Sequence, residues 1–179
     1  MVHGGTIESQ ILRNYYMARL LAVLLADDDQ HRVALMQRAF EAAKISNPLI
    51  AVPNGKSAIS YLRAQGRYRN RKIYPEPCLV LADLSPPVSG GLEILEWARY
   101  QSPSRPPPII VLTHLEGQED VRKASVLGAD GYLIKPRSYD ALVTIAKELK
   151  QEWLQPRKER ALAGRKATKT SAQSGATES

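Results

Sequence analysis

The sequence predicts a doubly wound α/β fold around a five-stranded parallel sheet. Two observations carry that prediction. Short apolar runs of strand length recur along the chain, and the clearest are continuous rather than alternating, as a strand covered on both faces requires. Each run is followed by a segment whose apolar residues fall at helical spacing. Five such strand–helix pairs between residues 20 and 154 make an alternating chain with a parallel sheet.

The elements follow in order. Residues 20–25 (LLAVLL) are the first strand. Residues 32–43 are a helix, with Val33, Met36, Phe40 and Ala43 in one stripe and Leu35 and Ala39 alongside. Residues 49–52 are a short strand, and Pro53-Asn54-Gly55 reads as a turn. Residues 57–63 are helical through Ala58, Ile59 and Leu62, and 78–82 are the third strand. A helix over 92–100 uses Leu92, Leu95 and Ala98. Pro106-Pro107-Pro108 leads into the fourth strand, 109–112. A short helix over 121–127 is stopped by Gly128. Residues 131–134 are the fifth strand, and the last helix, 139–154, lines up Leu142, Ile145, Ala146, Leu149 and Trp153.

Composition bounds the rest. The chain has 179 residues, of which 44% are apolar, enough for one domain with a core. A single cysteine, Cys78, excludes a disulfide framework and a multi-cysteine zinc site, and it suits a reducing cytoplasm. No apolar run approaches the roughly 20 residues of a membrane-spanning helix. The net charge is +7, but residues 155–179 alone hold six basic residues against two glutamates. The folded part, 20–154, is nearly balanced and presents no nucleic-acid signature. The segment 155–179 is expected to be a disordered basic tail, since it has no aromatic or β-branched apolar residue to offset its ordering entropy. Residues 1–19 read as an arm without a secretory pattern, and Met17 reads as a natural start just before the first strand.

In such a fold the carboxyl ends of the strands form the ligand-binding rim. Strand one ends in Asp27-Asp28-Asp29, strand three in Asp83, strand four in Thr113 and strand five in Lys135-Pro136. Carboxylates brought together this way repel one another unless a hard cation neutralises them, and magnesium takes a few carboxylates plus water. An ammonium and a hydroxyl opposite would complete a cradle for a transferred phosphoryl group, with one carboxylate as the nucleophile.

The segments VLLADDD (23–29), CLVLADLSPPVSGGLEIL (78–95), PIIVLTH (108–114) and LGADGYLIKP (127–136) resemble the receiver domain of bacterial two-component response regulators, the CheY-like fold. That resemblance covers residues 20–154 and implies a flavodoxin-like strand order 2-1-3-4-5. It implies that Asp83 is the phosphoacceptor, and that Asp27 and Asp28 hold Mg2+ together with Asp83 and the Ser85 carbonyl. It implies further that Thr113 and Lys135 meet the phosphoryl group and that Tyr132 is the switch aromatic. A finer resemblance, in RVALMQRAF, NPLIAVPNGKSAISYLRAQGRY and ELKQEWL, is to single-domain regulators paired with phytochrome-type histidine kinases.

Several features are expected to be structural. Asp29 suits a helix N-terminus. Gly55-Lys56-Ser57 looks like the end of a phosphate-binding loop, but Ile50 stands where that loop needs its first glycine. Cys78 is expected to pack as a small hydrophobe, His31 to be solvated and the run RYRNRK (67–72) to be a solvated loop. Three features depart from the family pattern: Pro86, which stiffens the loop after Asp83; His114, a bulky ring beside the expected site; and the extended, stiff connection over 102–108 (SPSRPPP).

The resulting expectation is a response regulator that accepts a phosphoryl group from a sensor histidine kinase. It would act on partners or on its own oligomeric state, since the tail is too short to be an output domain. It is not expected to be an enzyme in its own right. Trp153-Leu154 suggests a homodimer through the last helix. The alternative is a phosphorylation-independent adaptor, a pseudo-receiver.

Overall fold

The computed structural model describes residues 21–84, 90–104, 106–113 and 118–154. The chain runs β1 (Ala22–Ala26), α1 (Gln30–Ala42), β2 (Leu49–Val52), α2 (Gly55–Leu62), a 3₁₀ turn (Gly66–Arg69), β3 (Pro77–Asp83) and α3 (Gly90–Tyr100). It continues with β4 (Ile109–Thr113), α4 (Gln118–Val126), β5 (Gly131–Ile134) and α5 (Tyr139–Leu149), which passes into a π-helical turn (Lys150–Leu154). All strands are parallel, in the order β2-β1-β3-β4-β5. This is the expected doubly wound architecture.

The continuous apolar runs are explained by burial on both faces. Val23, Leu25, Leu79, Leu81, Ile110 and Leu112 point to one side, under Val33, Met36 and Phe40 of α1 and Leu142, Ala146 and Leu149 of α5. Leu24, Ala26, Val80, Ala82, Ile109 and Val111 point to the other, under α2, α3 and Ala124 of α4. Each wholly buried leucine contributes about 2 kcal/mol of transfer free energy. Cys78 packs against the first cluster, as expected, with its Sγ 3.4 Å from the Ala22 carbonyl.

Helix starts differ from the periodicity reading, and caps are the reason. Asp29 is the N-cap of α1, accepting from the amides of His31 and Arg32, so the helix begins at Gln30. Asn54 caps α2 by accepting from the Ser57 amide at 2.8 Å, so the apparent turn at 53–55 is a helix entry. Gly55 is needed for packing: a Cβ there would lie 2.7 Å from the Gly90 carbonyl oxygen. That accounts for the glycine without a phosphate-binding loop. Gly128, at φ +88°, closes α4 as read from the sequence.

The run 67–72 is more than a solvated loop. Tyr68 is buried and packs with Tyr61 and Tyr74, each at a centroid distance of 5.1 Å, and those two rings lie 6.1 Å apart. Arg71 donates to the carbonyls of Tyr61 and Leu62, capping the end of α2. Burial pushes the Tyr61 hydroxyl up to about 12. Its phenol donates to the Pro75 carbonyl at 2.6 Å. The last helix is not α-helical to residue 154. Its π-helical turn lays Trp153 and Leu154 against the first core cluster, and Lys150 donates to the carbonyls of Ala43 and Lys44 beyond the end of α1. Trp153 and Leu154 are thereby partly buried within the chain. Residues 1–20 and 155–179 lie outside the described residues.

Candidate functional site

Parallel strands bring all their carboxyl ends to one edge. That edge gathers Asp27 and Asp28 just beyond β1, Asp83 at the end of β3, Thr113 at the end of β4 and Lys135 just beyond β5. Asp27, Asp83 and Thr113 are each only 6% exposed, whereas the Asp28 side chain is largely open to solvent. The pairing of β4 with β5 continues past its last residues. The Lys135 amide donates to the Thr113 carbonyl at 2.8 Å, which sets the lysine beside the end of β4, and its side chain reaches the end of β3. Its Nζ lies 2.6 Å from Asp83 Oδ2. Tyr132 stands in the middle of β5, opposite Val111, with its side chain partly exposed.

One residue of the site had no role in the sequence reading. Arg32, in the first turn of α1, projects into the carboxylates. Its Nη2 lies 2.7 Å from Asp27 Oδ1 and its Nε 3.0 Å from Asp27 Oδ2. Its Nη1 lies 3.0 Å from Asp29 Oδ2, and Nη2 lies 3.4 Å from oxygens of both Asp28 and Asp83. Hydrogen bonding to Asp27, aided by the charges of Asp27, Asp83 and Asp29, raises the arginine pKa still further, so it is permanently charged. The Asp29 carboxyl is held below its ordinary range by the backbone amides of Arg32 and His31. The spacing was a usable signal, since Arg32 is four residues from Asp28 and three from Asp29 on a helix start.

Asp27, Asp28 and Asp83 are hard oxygen donors, the right kind for a divalent cation. Their arrangement does not yet suit one: among the described residues no three acidic, histidine or cysteine side chains are grouped to hold a metal ion. The Arg32 guanidinium stands among these carboxylates. A small cleft beside them is lined by Asp27, Asp28, Pro53, Asn54, Asp83 and Gly90. Gly91 lets α3 approach β3, since a Cβ there would be 2.8 Å from the Asp83 carbonyl oxygen. Ser85, Pro86 and His114 lie outside the described residues.

Residues 23–147 match the family of response regulator receiver domains. The chain belongs to that family. This receiver is 33% identical over 133 residues to the probable methanogenesis regulatory protein FilR2 of Methanothrix harundinacea, covering 74% of this chain and 83% of FilR2. It resembles the structure of the phosphorylated cyanobacterial phytochrome response regulator RcpA, with a TM-score of 0.65 at 27% identity over 75% of this chain and 94% of that one. It also resembles the Mn2+-bound form of the response regulator Rcp1, with a TM-score of 0.63 at 29% identity over 75% of this chain and 95% of that one. The resemblance to phytochrome-associated regulators read from the sequence is thus shared by a solved structure. As a receiver domain the chain is a module of two-component signalling. No helix among the described residues is long and apolar enough to cross a membrane.

Proposed function

We propose that this receiver accepts a phosphoryl group on Asp83 from a sensor histidine kinase of the phytochrome type, and passes the signal on by changing its partner binding or self-association. The observation that carries the reading is a buried Asp83 with the Lys135 ammonium at 2.6 Å, on a rim that also holds Thr113 and the Asp27–Asp28 pair. RcpA, a structural relative, is described in phosphorylated form.

The chemistry follows from the placement. An Asp83 carboxylate oxygen forms a bond to phosphorus as the donor's P–N bond breaks, and the electron pair leaves with the imidazole nitrogen. The carboxylate is a weak nucleophile, and its buried setting removes the water that would compete for the product. Lys135 holds Asp83 before transfer and offers its charge to the new phosphoryl oxygens afterwards. Thr113, one residue beyond the Leu112 that pairs with Asp83, supplies a hydroxyl at the same rim. A divalent cation, Mg2+ in a cell, would be held by Asp27, Asp28 and Asp83 with the Ser85 carbonyl, and would offset the charge of the incoming group. The exit face would be the one around α4, β5 and α5, where Tyr132, Ile134 and Val126 are exposed. Tyr132 would be its switch. Self-association would use the α5 side of that face.

The test is incubation with Mg2+ and acetyl phosphate, followed by intact-mass measurement. The wild-type chain should gain one phosphoryl group and Asp83→Asn none, since an amide is not a nucleophile. A labelled Asp83→Asn variant would sink the assignment, and an unlabelled wild type would favour the adaptor.

A further inference from the structure

Arg32 has no part in the chemistry just described, yet it holds the centre of the site. Its Nε and Nη2 fork across Asp27, so both oxygens of that buried carboxylate are engaged. The same nitrogen, Nη2, reaches Asp28 and Asp83 at 3.4 Å. These three carboxylates are the ones that would hold the divalent cation, so cation and guanidinium need the same oxygens. Among the described residues four aspartates face two cations here, Arg32 and Lys135, which leaves two negative charges. That surplus attracts a divalent ion, while repulsion at contact distance prevents the ion from sitting beside the guanidinium.

The two basic residues differ in how they can respond. The Lys135 side chain is 11% exposed, whereas the Arg32 side chain is 38% exposed. The arginine backbone lies in the first turn of α1, and among the described residues its side chain is held by the carboxylates alone. Rotation about its side-chain bonds carries the guanidinium into water without disturbing the helix.

We propose that Arg32 is a built-in cationic plug, which must release Asp27 and swing outward for a divalent ion to bind and so sets the metal concentration at which Asp83 becomes competent. This rests on the reading of Asp83 as a metal-assisted phosphoacceptor.

Mn2+ binding to the full chain, followed by the electron paramagnetic resonance of free Mn2+, tests it. Arg32→Ala should bind roughly tenfold to a hundredfold more tightly than wild type, the range set by one or two charge-assisted hydrogen bonds. Arg32→Lys should fall between them, because an ammonium cannot fork across a carboxylate. Arg38, whose guanidinium lies over the Tyr139 ring, supplies the control for net charge. Arg38→Ala should stay within about twofold of wild type in physiological salt. Equal or weaker binding by Arg32→Ala overturns the plug and leaves the Asp83 reading standing. No saturable binding by any variant overturns both. An equal gain in Arg38→Ala assigns the effect to net charge and overturns the plug. Should Arg32→Ala fail to fold, the Arg32 Nε–H resonance of the wild-type chain gives the answer. It should shift and exchange faster with water as Mg2+ saturates the site, and an unmoved resonance at saturation overturns the proposal.

Discussion

Asp83 stands between two flanks of the rim that are built differently. On the β4–β5 flank, one buried ammonium meets one buried carboxylate at 2.6 Å, and the strand pairing that delivers Lys135 leaves it little freedom. On the β1 flank, one half-open guanidinium is shared among four carboxylates at 2.7 to 3.4 Å, and two of those carboxylates are themselves well exposed. A cation held against a buried carboxylate is expensive to remove, while one that is half-exposed and shared among solvent-facing carboxylates exchanges readily. The same carboxylate can therefore keep a fixed partner on one side and an exchangeable one on the other.

The strongest way to break this contrast is Lys135→Ala. Removing the ammonium takes away the shortest ion pair of a buried carboxylate, and the expected loss is about 3 kcal/mol in urea unfolding without divalent ions. Metal affinity should be unchanged or higher, because a competing cation is gone. Arg32→Ala should lose on the order of 1 kcal/mol or less under the same conditions, since its guanidinium is partly solvated and screened. Equal losses in the two variants would erase the difference between the flanks.

Asp29 gives the smallest effects and separates cap from charge. Asp29→Ala removes the acceptor for two α1 amides and should lower Tm by a few degrees, whereas Asp29→Asn keeps the cap and should lower it less. The Asp29 carboxyl titrates below its ordinary value in the folded chain. Its contribution is therefore complete above the unfolded value of about 3.9 and fades as pH falls through the lower folded one. Thermal melts between pH 5 and 3 should show a shallower acid slope for Asp29→Asn than for wild type. Identical slopes would mean the cap works by geometry alone.

How much of the rim was legible follows from what local sequence encodes. Asp27, Asp28, Asp83, Thr113 and Lys135 each end an apolar run, and parallel strands of this order put such ends on one edge without further information. Arg32 was legible only as a spacing. Its reach to Asp83, 51 residues away in sequence, depends on where Asp29 starts α1 and on how α1 lies across the sheet. The tyrosines were hidden for a similar reason. Tyr61, Tyr68 and Tyr74 share no period, and their contact exists only once β3 returns beside β1.

The sequence by itself determined the alternation of strands and helices, the strand ends on which the carboxylates, the hydroxyl and the ammonium sit, and the family they point to. These depend on burial periodicity and on residues adjacent in the chain. Only the tertiary structure decided which cation each carboxylate meets and how tightly. It also decided that Gly55 serves a close approach to Gly90 and that Trp153 turns inward onto the core. These features rest on distances between segments far apart in sequence, and such distances are set by packing rather than by local pattern.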